Sequence, residues 1–128
     1  MNRFHALSIA LDGAVSHCDW DPDVAILERL QLAVDGDVDV VSLTADLDMW
    51  VNDEGIVRGM PINVVASFIA REFLGERFAQ PYFGPVVFTG GVDDEGETLA
   101  LASAQIAMLS EIAEHMAALI GTVRIVAS

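Results

Sequence analysis

Carboxylates are the residues of this sequence best placed to do chemistry. Asp35-x-Asp37-x-Asp39 carries the alternating acids that open a calcium-binding EF-hand loop, but that loop also needs Gly at its sixth position and Glu at its twelfth. Val40 and Asp46 stand there instead. The alternation of Asp37, Val38, Asp39 and Val40 is that of a strand with one solvated face. Two acidic turns, Asp53-Glu54 and Asp93-Asp94-Glu95, could meet at one end of a sheet and offer carboxylate oxygens to a hard cation. Each is followed by a glycine, Gly55 or Gly96, so turn chemistry alone also explains the spacing. Trp50, Asn52 and Asn63 join these five acids as the candidate binding residues. No residue is assigned a catalytic role, and no metal or cofactor is expected.

Nucleophilic chemistry finds little support. Cys18 is the single cysteine, and a reactive thiolate needs an electropositive setting and a nearby base. His17 adjoins it, but neighbours in a strand face opposite ways, and Asp19 and Asp21 make the surroundings acidic. Cys18 reads as a structural residue. His5 has no visible partner, and His115 reads as a helix-surface residue beside Glu114. There is no Gly-x-Ser-x-Gly elbow, and Gly90-Gly91 does not fit the dinucleotide fingerprint.

Charge excludes further classes. The 128 residues carry a formal charge of -14, with Arg3, Arg29, Arg58, Arg71, Arg77 and Arg124 dispersed singly and no lysine at all. Direct nucleic-acid binding requires clustered cations to displace phosphate counterions, and no such stripe can be drawn. Schiff-base chemistry and P-loop phosphate binding fall with the missing lysine. The longest uncharged stretches, Phe78 to Val92 and Thr98 to Ser110, are shorter than the ~20 residues a membrane helix needs. A lone cysteine and no signal-peptide pattern point to the cytoplasm.

The elements that must position these residues read as α+β. Phe4 to Leu11 and Ala14 to Cys18 predict two strands joined by a tight Asp12-Gly13 turn. Asp21, Pro22 and Asp23 introduce a helix to about Ala33. Strands follow at Asp37 to Leu43 and Leu47 to Val51, and a turn over residues 52–55, with Gly55 at positive φ, leads into a resumed strand at Ile56-Val57. Asn63 is the expected N-cap of a second helix, Val64 to Leu74, with a core stripe of Val65, Phe68, Ile69 and Phe73 and Gly75 as C-cap. Val86 to Phe88 predicts the most buried strand. Leu99, Ala102, Ile106, Leu109, Ala113, Met116 and Ile120 then form a heptad seam, and Leu101, Met108, Ile112 and Leu119 make a second apolar stripe. Such a helix crosses the core or packs on another subunit, and Leu99, Ile106, Leu109, Met116 and Ile120 are the candidate self-association residues. Thr122 to Val126 is read as an edge strand. The expectation is one domain over 1–128, with a core at 4–96 and a helix and tail at 97–128: a small mixed or antiparallel sheet of about five strands, two short helices and a longer third.

Several blocks, in order, resemble a known family: Leu27 to Gln31, Val34 to Val41, Met49 to Gly55, Gly59-Met60-Pro61 with Asn63 and Ala66, and Gly84 to Gly90 with Asp93 to Gly96. Together they are similar to domain of unknown function 3846, over about residues 5 to 98. The resemblance implies a small accessory protein of phages, mobile elements or their hosts and supplies no catalytic residues. The expected function is non-catalytic protein-protein binding to a host or phage protein, with homo-oligomerisation through the last helix as one form of it. Two alternatives stand beside it: an acidic decoy that mimics DNA for a basic DNA-binding protein, and a small enzyme using paired carboxylates.

Overall fold

The computed structural model describes residues 3–21 and 23–127, with side chains through Ile120. Five strands, β1 (Phe4–Ile9), β2 (Val15–Trp20), β3 (Val38–Thr44), β4 (Leu47–Asn52) and β5 (Val86–Gly90), form one sheet in the order β2-β1-β5-β4-β3. All four pairings are antiparallel. Three α-helices, α1 (Ile26–Val34), α2 (Val64–Leu74) and α3 (Ser103–Ala127), complete an α+β fold.

Strand alternation divides the apolar residues between the two faces of the sheet. On one face Ala6 and Val87 pack with Leu30 and Val34 of α1, flanked by Phe4, Cys18, Trp20 and Trp50. On the other, Leu7, Ile9, Met49, Val86 and Phe88 meet Val65 and Ile69 of α2 and Leu109 and Ala113 of α3. The central strand β5 is covered on both faces, and all five of its residues are buried, as its unbroken apolar run predicts. Each fully buried Leu, Ile, Val or Phe here contributes about 1.5–3 kcal/mol relative to exposure.

Several connections differ from the sequence expectation. The β1–β2 link is a five-residue loop, Ala10 to Ala14, closed by Ala10 N–H donating to Ala14 O at 2.9 Å and Gly13 N–H to Ala10 O at 2.9 Å. Ile9 therefore pairs with Val15. Helix α1 starts later than expected: Asp21 Oδ1 accepts from Asp23 N–H in a local turn, Pro22 lies outside the described residues, and Ala25 is the N-cap. Asp35 takes the left-handed C-cap position, φ 62°. The hairpin partner of β4 is β3, joined through Ala45-Asp46. No strand resumes at Ile56-Val57; residues 53–59 are turn. Gly55 is absent from the positive-φ positions; a β-carbon there would lie 3.1 Å from Phe83 O, so close approach is what requires glycine.

Helix α2 matches its caps. Asn63 Oδ1 accepts from Ala66 N–H at 3.1 Å, and Gly75 closes the helix at φ 56°. Helix α3 begins where Gln105 Oε1 accepts from Ala102 N–H at 2.9 Å. It continues through 122–126, so the edge strand expected there is replaced by helix. No helix among the described residues is long and apolar enough to cross a membrane.

Candidate functional site

The antiparallel pairing of β4 with β5 sets Leu47 against Gly90 and Trp50 against Val87. The turn after β4 and the turn after β5 therefore leave the sheet at opposite ends. At ~3.4 Å per residue, Asp53-Glu54 and Asp93-Asp94-Glu95 stand roughly 20 Å apart. They do not converge, which overturns the shared cation site the sequence suggested. Asp93 Oδ1 instead accepts from Glu95 N–H at 2.8 Å and Glu97 N–H at 2.9 Å, organising its own turn. Among the described residues, no group of three or more His, Cys, Asp or Glu side chains is gathered so as to hold a metal ion.

The two candidate asparagines are internal struts. Asn52 donates to Val34 O at 3.0 Å and Asp35 O at 3.1 Å, fixing the end of α1, while its Oδ1 accepts from Glu54 N–H at 2.8 Å. Asn63, fully buried, donates to Ile9 O and Gly84 O, both at 3.0 Å. Trp50 donates its indole N–H to Thr89 Oγ1 at 2.8 Å and packs on the α1 side of the sheet.

Helices α2 and α3 lie side by side, and between them runs a groove of about 1170 Å³. Val64, Phe68, Glu72 and Phe73 line it from α2; Glu111, Ile112, His115, Met116, Leu119 and Ile120 line it from α3. The α2 wall is built by spacing: Val64, Phe68 and Glu72 succeed one another at i, i+4 and share one face. Val65 and Ile69, one position on, point into the core. Phe68, expected in the core stripe, is 42 % exposed, and Leu119 across the groove is 49 % exposed. Glu72 and Glu111 are exposed.

The five seam residues divide. Leu109 is fully buried against the chain's own sheet, while Ile106, Met116 and Ile120 are half-buried against the same cluster. Leu99 precedes the helix and is 45 % exposed. The seam thus crosses the core, and the second stripe supplies the outward Met108 and Leu119.

Cys18 sits on the α1 face, opposite to His17. Burial pushes its thiol pKa up, with hydrogen bonding from Ser8 pulling partly against that, the reverse of what a nucleophile requires. His5 does have a partner: its Nδ1 lies 3.1 Å from His17 Nε2. Sequence reasoning missed this pair and the groove-facing role of Phe68, Glu72 and His115.

The family model described as Domain of unknown function (DUF3846) matches residues 5–117. The match runs beyond residue 98, where the resemblance in the sequence was lost, and takes in α3 as far as Ala117. No match to the chain was found among curated proteins or among solved structures.

Proposed function

The chain belongs to the family described as Domain of unknown function (DUF3846), and we propose that it works by binding: the groove between α2 and α3 receives an apolar-faced helix of a partner protein whose flanks carry basic residues. The observation that carries this reading is the pairing of exposed Phe68 with exposed Leu119 across an apolar trough bordered by Glu72 and Glu111. The lining residues run from Val64 to Phe73 on α2 and from Glu111 to Ile120 on α3, a stretch that at 1.5 Å per residue is about 15 Å long, the span of a three-turn helix. Its volume of about 1170 Å³ exceeds the ~300–1,000 Å³ usual for a small-molecule site. Helix-in-groove recognition places partner residues at i, i+3/i+4 and i+7 into such a trough.

Charge selects the partner. The two acids at the groove and the formal charge of -14 attract a cationic ligand and accelerate its encounter. A second copy would bring another fourteen negative charges to the same place. A role of this kind suits a cytoplasmic accessory protein of a phage or mobile element.

The test is a calorimetric titration with a model helical peptide bearing Leu on one face and Lys on the flanks, and with its Glu-for-Lys counterpart. The Lys peptide binds saturably and the Glu peptide does not; Phe68→Asp weakens the Lys peptide about thirty-fold, as loss of a central aromatic anchor does. A decoy acting through surface charge alone would keep its affinity in Phe68→Asp, which adds an acid. That result, or failure of the wild type to bind the Lys peptide, overturns the reading. Wild-type dimers dissociated by Phe68→Asp in light scattering would put a second copy in the groove instead.

A further inference from the structure

We propose that His5 and His17 form a two-imidazole site for a divalent transition-metal ion of the zinc, nickel or copper class. The pair stands apart from the α2–α3 groove and is independent of it. In the β1–β2 ladder, His5 is paired with Asp19 and His17 with Leu7. The two histidines are therefore diagonal neighbours on one face of the hairpin, within mutual reach of their rings. Nδ1 of His5 lies 3.1 Å from Nε2 of His17, with the ring planes inclined by 45°.

That separation has a chemical meaning. Two nitrogen ligands at about 2.0–2.1 Å from one ion lie about 2.9 Å apart when they subtend a right angle and about 3.3 Å apart at the tetrahedral angle. The observed 3.1 Å falls between the two. To share an ion about 2.0–2.1 Å from each nitrogen, each ring turns its lone pair roughly 40° off the line joining the two nitrogens. His17 is exposed and His5 half-buried, so a hydrated ion can reach them while backbone pairing fixes their spacing.

The surroundings tolerate a cation. Arg3, two residues before His5, has its Nε on Asp19 Oδ1 at 3.0 Å, so that guanidinium is already paired with a carboxylate. Cys18 points to the opposite face of the sheet and His115 lines the groove, so neither completes the site. The protein supplies two ligands and water fills the remaining positions. Coordination balances without an external base: the ring that donates the N–H···N bond moves that proton to its other nitrogen, and the freed lone pair, with the acceptor's, goes to the metal. An ion held this way bridges β1 to the edge strand β2 and stabilises the folded state by mass action.

Calorimetric titration of the full chain with Zn²⁺, repeated with Ni²⁺, tests the site. One ion binds per chain, and His5→Ala and His17→Ala each weaken binding about tenfold or more, since even the partners of metal ligands are worth 10–100-fold. His115→Ala and Cys18→Ser bind as the wild type does. Circular dichroism in chelator establishes that the variants fold. Should either histidine variant misfold, Ni²⁺ titrated into the wild type broadens the imidazole NMR signals of His5 and His17 ahead of those of His115. Absence of saturable binding by the wild type, affinity unchanged in both histidine variants, or His115 broadening first overturns the proposal.

Discussion

The side-chain amide of Asn63 donates to the carbonyl oxygen of Ile9 at 3.0 Å, joining residues 54 positions apart in the chain. The same nitrogen donates to Gly84 O at 3.0 Å, and the side-chain oxygen caps α2 through Ala66 N–H. One buried residue thus ties the end of β1, the approach to β5 and the start of α2.

Asn63→Ala should therefore cost more than an ordinary cap. Losing the cap costs ~1 kcal/mol, and leaving buried carbonyls without donors adds about 1–3 kcal/mol, so the expected loss is about 2–4 kcal/mol in urea unfolding. Asn63→Asp should do no better, because a carboxylate keeps the cap but turns an acceptor toward two carbonyl oxygens. A loss below about 1 kcal/mol for the alanine variant would show that water replaces these bonds.

Asn63 as N-cap, Gly75 as C-cap and the burial of β5 were all legible in the sequence, because each depends on interactions within a few residues or on an unbroken apolar run. The His5–His17 pair was not, and the reason is a single residue of register. A two-residue turn at Asp12-Gly13 would pair Leu11 with Ala14 and place His5 and His17 on opposite faces. The five-residue loop pairs Ile9 with Val15 and brings them to the same face. A slip of one position exchanges the faces of a whole strand. The acidic turns were misplaced for a related reason: strand order and direction decide which turns share an end, and those are set by long-range pairing. Spacing alone puts Phe68 in the core stripe, although at one end of a broad apolar stripe only the neighbouring helix decides whether a side chain is covered.

Asp48 gives a pH-dependent prediction. It is 7 % exposed on β4, and burial raises its carboxyl pKa above the ordinary value. The folded state then holds the proton more tightly than the unfolded chain does. Its contribution to stability is greatest below the ordinary carboxylate range and is lost as pH rises through that range to the raised folded pKa. Asp48→Asn, close to the same shape without the charge, should be more stable than the wild type at pH 7, and the difference should shrink toward pH 3. Urea midpoints across that interval measure it; a variant less stable than the wild type at pH 7 would contradict the assignment.

Leu109 and Leu119 test which face of α3 belongs to the core. They share a helix and a side-chain chemistry, but Leu109 is fully buried and Leu119 is 49 % exposed at the groove. Leu109→Ala opens a cavity beneath the helix and should cost about 2.5–5 kcal/mol. Leu119→Ala removes a side chain with solvent on one side and should stay within about 0.5–1 kcal/mol. Comparable losses at the two sites, with the wild type a dimer by light scattering, would mean that Leu119 is covered by a second subunit. A silent Leu119→Ala in a monomer leaves this leucine free for an incoming partner, because a groove-facing apolar side chain that adds little to folding has its surface available for binding.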